Sequence, residues 1–253
     1  MKIKISRNLA WKQKFVRALL TLSLALGGTT VALAQVDSFS IPVWTTIGSL
    51  NQMSLNQTLF GENYIPDEDD SRPSKPRASK TSTPAKAVST TIELAKTPTA
   101  AARLATAYPE AQRPKAQAMF KQMLGTYGQL ATTLGVKEND VAGSVAAFVA
   151  GSWMAYHDKD VADKDFPVLV DQMRGVLSAT PGFAKATLQQ KQELHESFAI
   201  LGTLMAATRV ALQQQPNAAT QSALKAAAGS YLEGFLGVDP DDLVIDSKGL
   251  HRV

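Results

Sequence analysis

The chain has 253 residues, three histidines, no cysteine and a formal net charge of +4. Without cysteine it has no thiolate metal site, no cysteine nucleophile and no lipidated amino-terminal cysteine. The positive charge belongs to the first 34 residues, which hold six basic side chains (Lys2, Lys4, Arg7, Lys12, Lys14, Arg17) and no acid. They leave 20 of the 26 basic residues against 22 acidic ones, a balance of −2 that argues against a nucleic-acid partner.

Residues 1–34 have the three parts of a secretory signal peptide. A basic region runs to Arg17, an apolar stretch follows from Ala18, and Ala32 and Ala34 place small residues at −3 and −1 before Gln35. The apolar stretch is short and is interrupted by Gly27, Gly28, Thr29 and Thr30, which favours cleavage over an uncleaved anchor. The expectation is a mature chain beginning at Gln35, in the periplasm or the medium, with no membrane span after cleavage.

Residues 35–65 scatter Phe39, Trp44, Phe60 and Tyr64 among Ser, Thr, Asn and Gln. That is too little apolar surface to fold alone, so the stretch reads as an extended segment that docks on the domain or on a partner. Residues 66–98 read as a disordered linker. Over 66–91 there are four prolines, Val88 is the one large apolar residue, and an acidic block (Asp67, Glu68, Asp69, Asp70) precedes a basic one (Arg72, Lys75, Arg77, Lys80, Lys86). Burial there cannot offset the entropy of ordering the chain.

From Thr99 to Val253 the pattern is helical. A first helix over TAAARLATAY is stopped by Pro109, and a second covers 113–134, closed by Gly135. The third starts after Asn139 as cap and ends at His157. The fourth begins at Asp165, with Phe166 and Pro167 in its first turn, and ends at Thr180-Pro181. The fifth opens on a capping box, Thr187 with Gln190, and carries Leu194, Phe198, Leu201, Met205, Thr208 and Leu212 at spacings of four and three. The sixth follows Asn217 and stops at Gly237. In LVIDSKGLHRV, Asp246 and Gly249 suit a type I turn followed by a left-handed residue, hence a hairpin. The fold class is all-α: an irregular bundle of about six helices with a small C-terminal β-hairpin.

The third helix, VAGSVAAFVAGSWMAYH, is apolar on every face, which marks a central helix. Gly143, Ala147 and Gly151 recur every four residues and make one side nearly flat, so a neighbouring backbone can approach. At its end Trp153, Tyr156, His157 and Asp160 are the candidate binding residues, because aromatic and imidazole groups there carry polar tips from core to surface. A protonated His157 would also gain from the helix dipole. As a calcium loop the stretch from Asp158 fails, with Ala162, Asp163 and Leu169 at the fifth, sixth and twelfth positions. The simpler reading is that Asp163 or Asp165 caps the next helix.

The stretch QELHESFA begins like a zinc-protease helix, but Ala199 stands where the second histidine belongs. Glu193, His195 and Glu196 could together hold a metal weakly, but the simpler reading is a solvated face opposite Leu194 and Phe198. No nucleophile elbow, phosphate loop or dinucleotide fingerprint is present. The residues imply no catalytic group, no metal and no cofactor.

The stretches AAFVAGSWMAYHDKDVADKDFPVLVDQMRGVL, QELHESFAILGTLMAAT and YLEGFLGVDPDDLVI resemble a family of uncharacterised exported proteins of Gram-negative bacteria, defined by a domain of unknown function. The resemblance covers roughly residues 95–250 and includes Gly151, Tyr156, Asp163, Phe166, Gln172, Arg174, Gly202, Tyr231, Leu236, Gly237, Asp239, Pro240 and Gly249. It implies export, to the periplasm or beyond the cell, and a shared fold, but no reaction. Three functions stand open at this point. The first is a non-catalytic module that binds an unknown protein or envelope partner. The second is a periplasmic hydrolase with a site near Tyr156 and His157, and the third a small-molecule carrier with a cavity between helices.

Overall fold

The structure is a computed structural model that describes residues 88–95 and 97–253. The expected signal peptide, the 35–65 segment and the linker over 66–87 lie outside the described residues. Among the described residues seven α-helices and a two-stranded hairpin follow in order: α1 (Ala100–Ala105), α2 (Arg113–Thr133), α3 (Val141–His157), α4 (Phe166–Ala179), α5 (Pro181–Lys185), α6 (Leu188–Gln214), α7 (Ala218–Leu236), β1 (Leu243–Asp246) and β2 (Gly249–Arg252). This is the all-α bundle with a C-terminal hairpin that the sequence predicts. The additional helix is α5, where Pro181 opens a short helix with its fixed φ as well as ending the previous one. Among the described residues no helix is long and apolar enough to cross a membrane.

The central position of α3 follows from its composition. Fourteen of its seventeen residues are buried, and it packs chiefly on α6, then on α7 and α4. Phe148 at its middle stacks on Phe198 of α6, ring centroids 4.6 Å apart, and Phe235 of α7 meets both edge-on. Such aromatic pairs add about 0.5–1.5 kcal/mol each beyond the area they bury. The flat side is shared between two neighbours. Gly151 and Ala147 face α6, whereas Gly143 makes room for the Tyr127 hydroxyl of α2 and for Val136.

Local signals set most boundaries. Thr187 and Gln190 form the reciprocal capping box, Asn217 accepts from the Thr220 amide, and Gly237 closes α7 with φ +64. The cap of α3 is Asp140 rather than Asn139, its carboxylate accepting from the Ala142 amide at 3.0 Å. Asn139 is drawn off by the incoming chain, donating to the Ile92 carbonyl at 2.6 Å. At the start of α4, Asp165 holds the cap position but its side chain bonds no helix amide, so the expected carboxylate cap is absent.

The packed domain begins before Thr99. Thr90 and Ile92 are buried, Thr91 bridges to Asp140, and Thr90 Oγ1 donates to Asp140 Oδ1 at 2.7 Å. Ala95 N–H reaches Gln192 of α6 at 2.9 Å, and Ser178 of α4 donates to the Val88 carbonyl. A linker extending to residue 98 is therefore corrected: the chain is strapped across α3, α4 and α6 by residue 88. Composition alone missed this because backbone hydrogen bonds, more than apolar side chains, hold the strap.

The hairpin pairs Leu243 with Arg252 through Asp246 with Gly249, and Gly249 has φ +85. Gln172 of α4 docks it as a third strand would, accepting from Leu250 N–H at 2.8 Å and donating to Leu250 C=O at 2.7 Å. A Cβ on Gly249 would stand 2.7 Å from that glutamine oxygen. This position therefore needs glycine for both its φ and its space.

Candidate binding cleft

Three of the four candidate residues at the end of α3 fasten the C-terminal segment. Trp153 is buried and its indole N–H donates to the Leu243 carbonyl at 2.8 Å. His157 packs against Trp153 and Tyr156, and its Nε2 donates to the Pro240 carbonyl at 3.0 Å. Burial lowers its pKa below the usual histidine value, against the opposing pull of that bond. The expected gain from a protonated imidazole at the helix end is thereby reversed: the site favours the neutral ring. Tyr156 lies half-buried beneath the Lys225 ammonium, 4.8 Å from the ring centroid. Partial burial and a hydrogen bond to Asp241 raise the Tyr156 pKa. The charges acting on His157 include those of Lys159, Asp241 and Lys225.

Asp160 belongs to a different feature. The chain leaves α3 through Asp158, whose φ of +50 turns it sharply. Asp158 and Asp160 then converge on Arg209 of α6, which donates from Nε to Asp158 at 2.9 Å and from Nη1 to Asp160 at 2.7 Å. The Arg209 side chain is only 7% exposed, while both aspartates are more than half exposed. Its alkyl stem is buried while the head reaches carboxylates at the rim.

Beside this ion-pair cluster lies a cleft of about 320 Å³ between α2, α3, α6 and the start of α4. Ala147, Ala150, Gly202 and Ala206 form its small-residue side, and Leu130, Leu134, Met154, Phe166 and Val210 supply its larger apolar side chains. The polar lining includes Asp160, Asp163, Arg209 and Thr203. Thr203 is 2% exposed, and its hydroxyl oxygen is buried without a hydrogen-bond partner. Of the four residues singled out from sequence only Asp160 lines this cleft; Met154, Thr203 and Arg209 were missed. The signal for Arg209 was a lone cation inside the apolar run LMAATRVAL of α6.

QELHESFA is not a solvated face. His195 and Glu196 are each 2% exposed, because α1 and the strap cover this side of α6. Glu196 accepts from the Thr99 and Ala100 amides, both at 2.9 Å, and so caps α1 from a distant helix. Gln192 donates to the same carboxylate, while Arg103 of α1 pairs with Glu193 and donates to Ser197. His195 lies edge-on to Tyr127 at 5.6 Å and bonds the Asp140 backbone, and burial pushes its pKa down to about 4. Asp140 completes this second polar cluster through Arg174 Nη2 at 2.5 Å. Among the described residues no group of three or more His, Asp or Glu is placed to hold a metal.

The sequence model of a family of unknown function, DUF6683, matches residues 13–252, a wider span than the resemblance read over 95–250. No curated protein and no solved structure matches the chain.

Proposed function

The chain belongs to the DUF6683 family of unknown function, and from that premise we propose that it is an exported, non-catalytic helical module that binds a protein or cell-envelope partner. The observation that carries this reading is the apolar cleft between α2, α3 and α6, with its paired Arg209 and unpartnered Thr203. An apolar concavity with a few convergent polar groups is the usual form of a binding site. The hydrolase reading puts its site near Tyr156 and His157. His157 instead holds the C-terminal segment, and His195 lies buried beneath Tyr127. Export, with the periplasm or medium of a Gram-negative cell as destination, rests on the basic leader and on Ala32 and Ala34 before Gln35. On this reading residues 35–65 tether or dock the module.

Expressed in a Gram-negative host, the protein should appear outside the cytoplasm with an intact mass that begins at Gln35. Native mass spectrometry of that exported protein tests binding. The parent should carry a bound species, and Ala206→Trp, which fills the cleft from α6, should run as the bare chain. Met1 retained on a cytoplasmic product would contradict the export half, and equal adducts on parent and Ala206→Trp would contradict the cleft.

A further inference from the structure

We infer that the cleft takes a small, mainly aliphatic molecule that ends in a hydroxyl or amine and carries no negative charge. This narrows the cell-envelope partner of the reading above to a small molecule, and it rests on that reading. The volume of about 320 Å³ is at the small end of ligand sites, room for one compact molecule. Ala147, Ala150, Gly202 and Ala206 leave one side free of bulk, while Leu130, Met154 and Val210 present apolar surface. These three side chains are only partly buried, so an aliphatic occupant would remove apolar area from water.

The polar groups select the end of the molecule. A buried hydroxyl without a partner costs free energy that a ligand group can recover, and Thr203 Oγ1 is such a hydroxyl. Threonine divides between two χ1 rotamers in a helix, which lets its oxygen turn toward an occupant. Because a hydroxyl both donates and accepts, it suits an alcohol or an ammonium equally. The charged lining excludes an anion. Asp160 and Asp163 stand against one cation, Arg209, whose Nε and Nη1 are already engaged by Asp158 and Asp160. A carboxylate head would meet this excess of negative charge, whereas an ammonium would be drawn to it.

Calorimetric titration of the full mature chain with n-octanol, octylamine and octanoate tests the assignment. These probes share a chain length and differ at the head. The alcohol and the amine should bind one to one, and octanoate at least about tenfold more weakly. Thr203→Val should weaken n-octanol about tenfold, the equivalent of one hydrogen bond. The same variant should melt no lower than the parent, because it removes an unpartnered buried hydroxyl while keeping the side chain's shape. Octanoate binding as tightly as octylamine would overturn the charge argument, and unchanged n-octanol affinity in a folded Thr203→Val would remove the anchor. Either result leaves the cleft standing as a binding site. No binding by any of the three would overturn the cleft itself.

Discussion

Gly151 of α3 lies against the backbone of Gly202 in α6, so close that a Cβ on Gly151 would stand 3.0 Å from the Gly202 carbonyl carbon. The reverse also holds, since a Cβ on Gly202 would come within 2.6 Å of the Phe148 amide nitrogen. Backbone meets backbone here, and no flexible side chain is available to yield. Gly151→Ala and Gly202→Ala should each lower stability by about 1–3 kcal/mol or more in chemical denaturation. The control is Gly175→Ala in α4, where nothing lies within 4 Å of the added carbon. That change should raise stability by roughly 0.5–1 kcal/mol. If all three variants unfold alike, α3 and α6 do not cross at these glycines.

Glu196 should govern the docking of α1. Glu196→Ala leaves the part-buried Thr99 amide, the buried Ala100 amide and the buried Gln192 side chain without their acceptor. The expected loss is about 2–4 kcal/mol, on the scale of charge-assisted bonds broken with partners left behind. Amide hydrogen exchange should rise sharply at Thr99 and Ala100 and stay slow in α3. Unchanged protection of those two amides would show that α1 holds its place without the carboxylate.

His195 makes stability depend on pH in a defined direction. Its folded pKa is near 4 against 6.5 for the free side chain, with burial as the main cause. Between those values the unfolded chain binds a proton that the folded chain refuses. Stability from this group is therefore complete above pH 6.5 and declines as pH falls toward 4, by about 3 kcal/mol across the window. His157, also lowered by burial, adds to the same slope. Denaturation midpoints from pH 7 to pH 4.5 should fall in the parent and fall much less in His195→Gln. An identical slope in the variant would place the titration elsewhere.

How far the sequence reached depends on the range of the interaction. The Thr187-Gln190 box, Asn217, Gly237 and Gly249 act within a few residues of themselves, and each is read directly from its neighbours. The uniformly apolar third helix announced its own burial. Asn139 and Asp140 are both able to cap α3, and the choice between them was made by the strap, whose Ile92 carbonyl takes the Asn139 amide. Glu196 and Arg209 were beyond local rules. The amides that Glu196 serves are some 96 residues earlier, and the carboxylates of Arg209 lie about 50 residues away. At the candidate site the aromatic end of α3 drew attention because it looks like an exit to solvent. The hairpin that covers it is brought there by a backbone carbonyl at Leu243, which no side-chain pattern records.

The central claim is that the cleft between α2, α3 and α6 is the binding face, and methyl-resolved NMR tests it most directly. The protein, with its Leu, Met and Val methyls labelled, would be titrated with an envelope extract of its host. Methyl signals of Leu130, Leu134, Met154 and Val210, which line the cleft, should shift together. Those of Leu201 and Leu232, buried in the core, should stay in place. Shifts confined to the hairpin, at Leu243, Val244 and Leu250, or no shift at any methyl, would contradict the account.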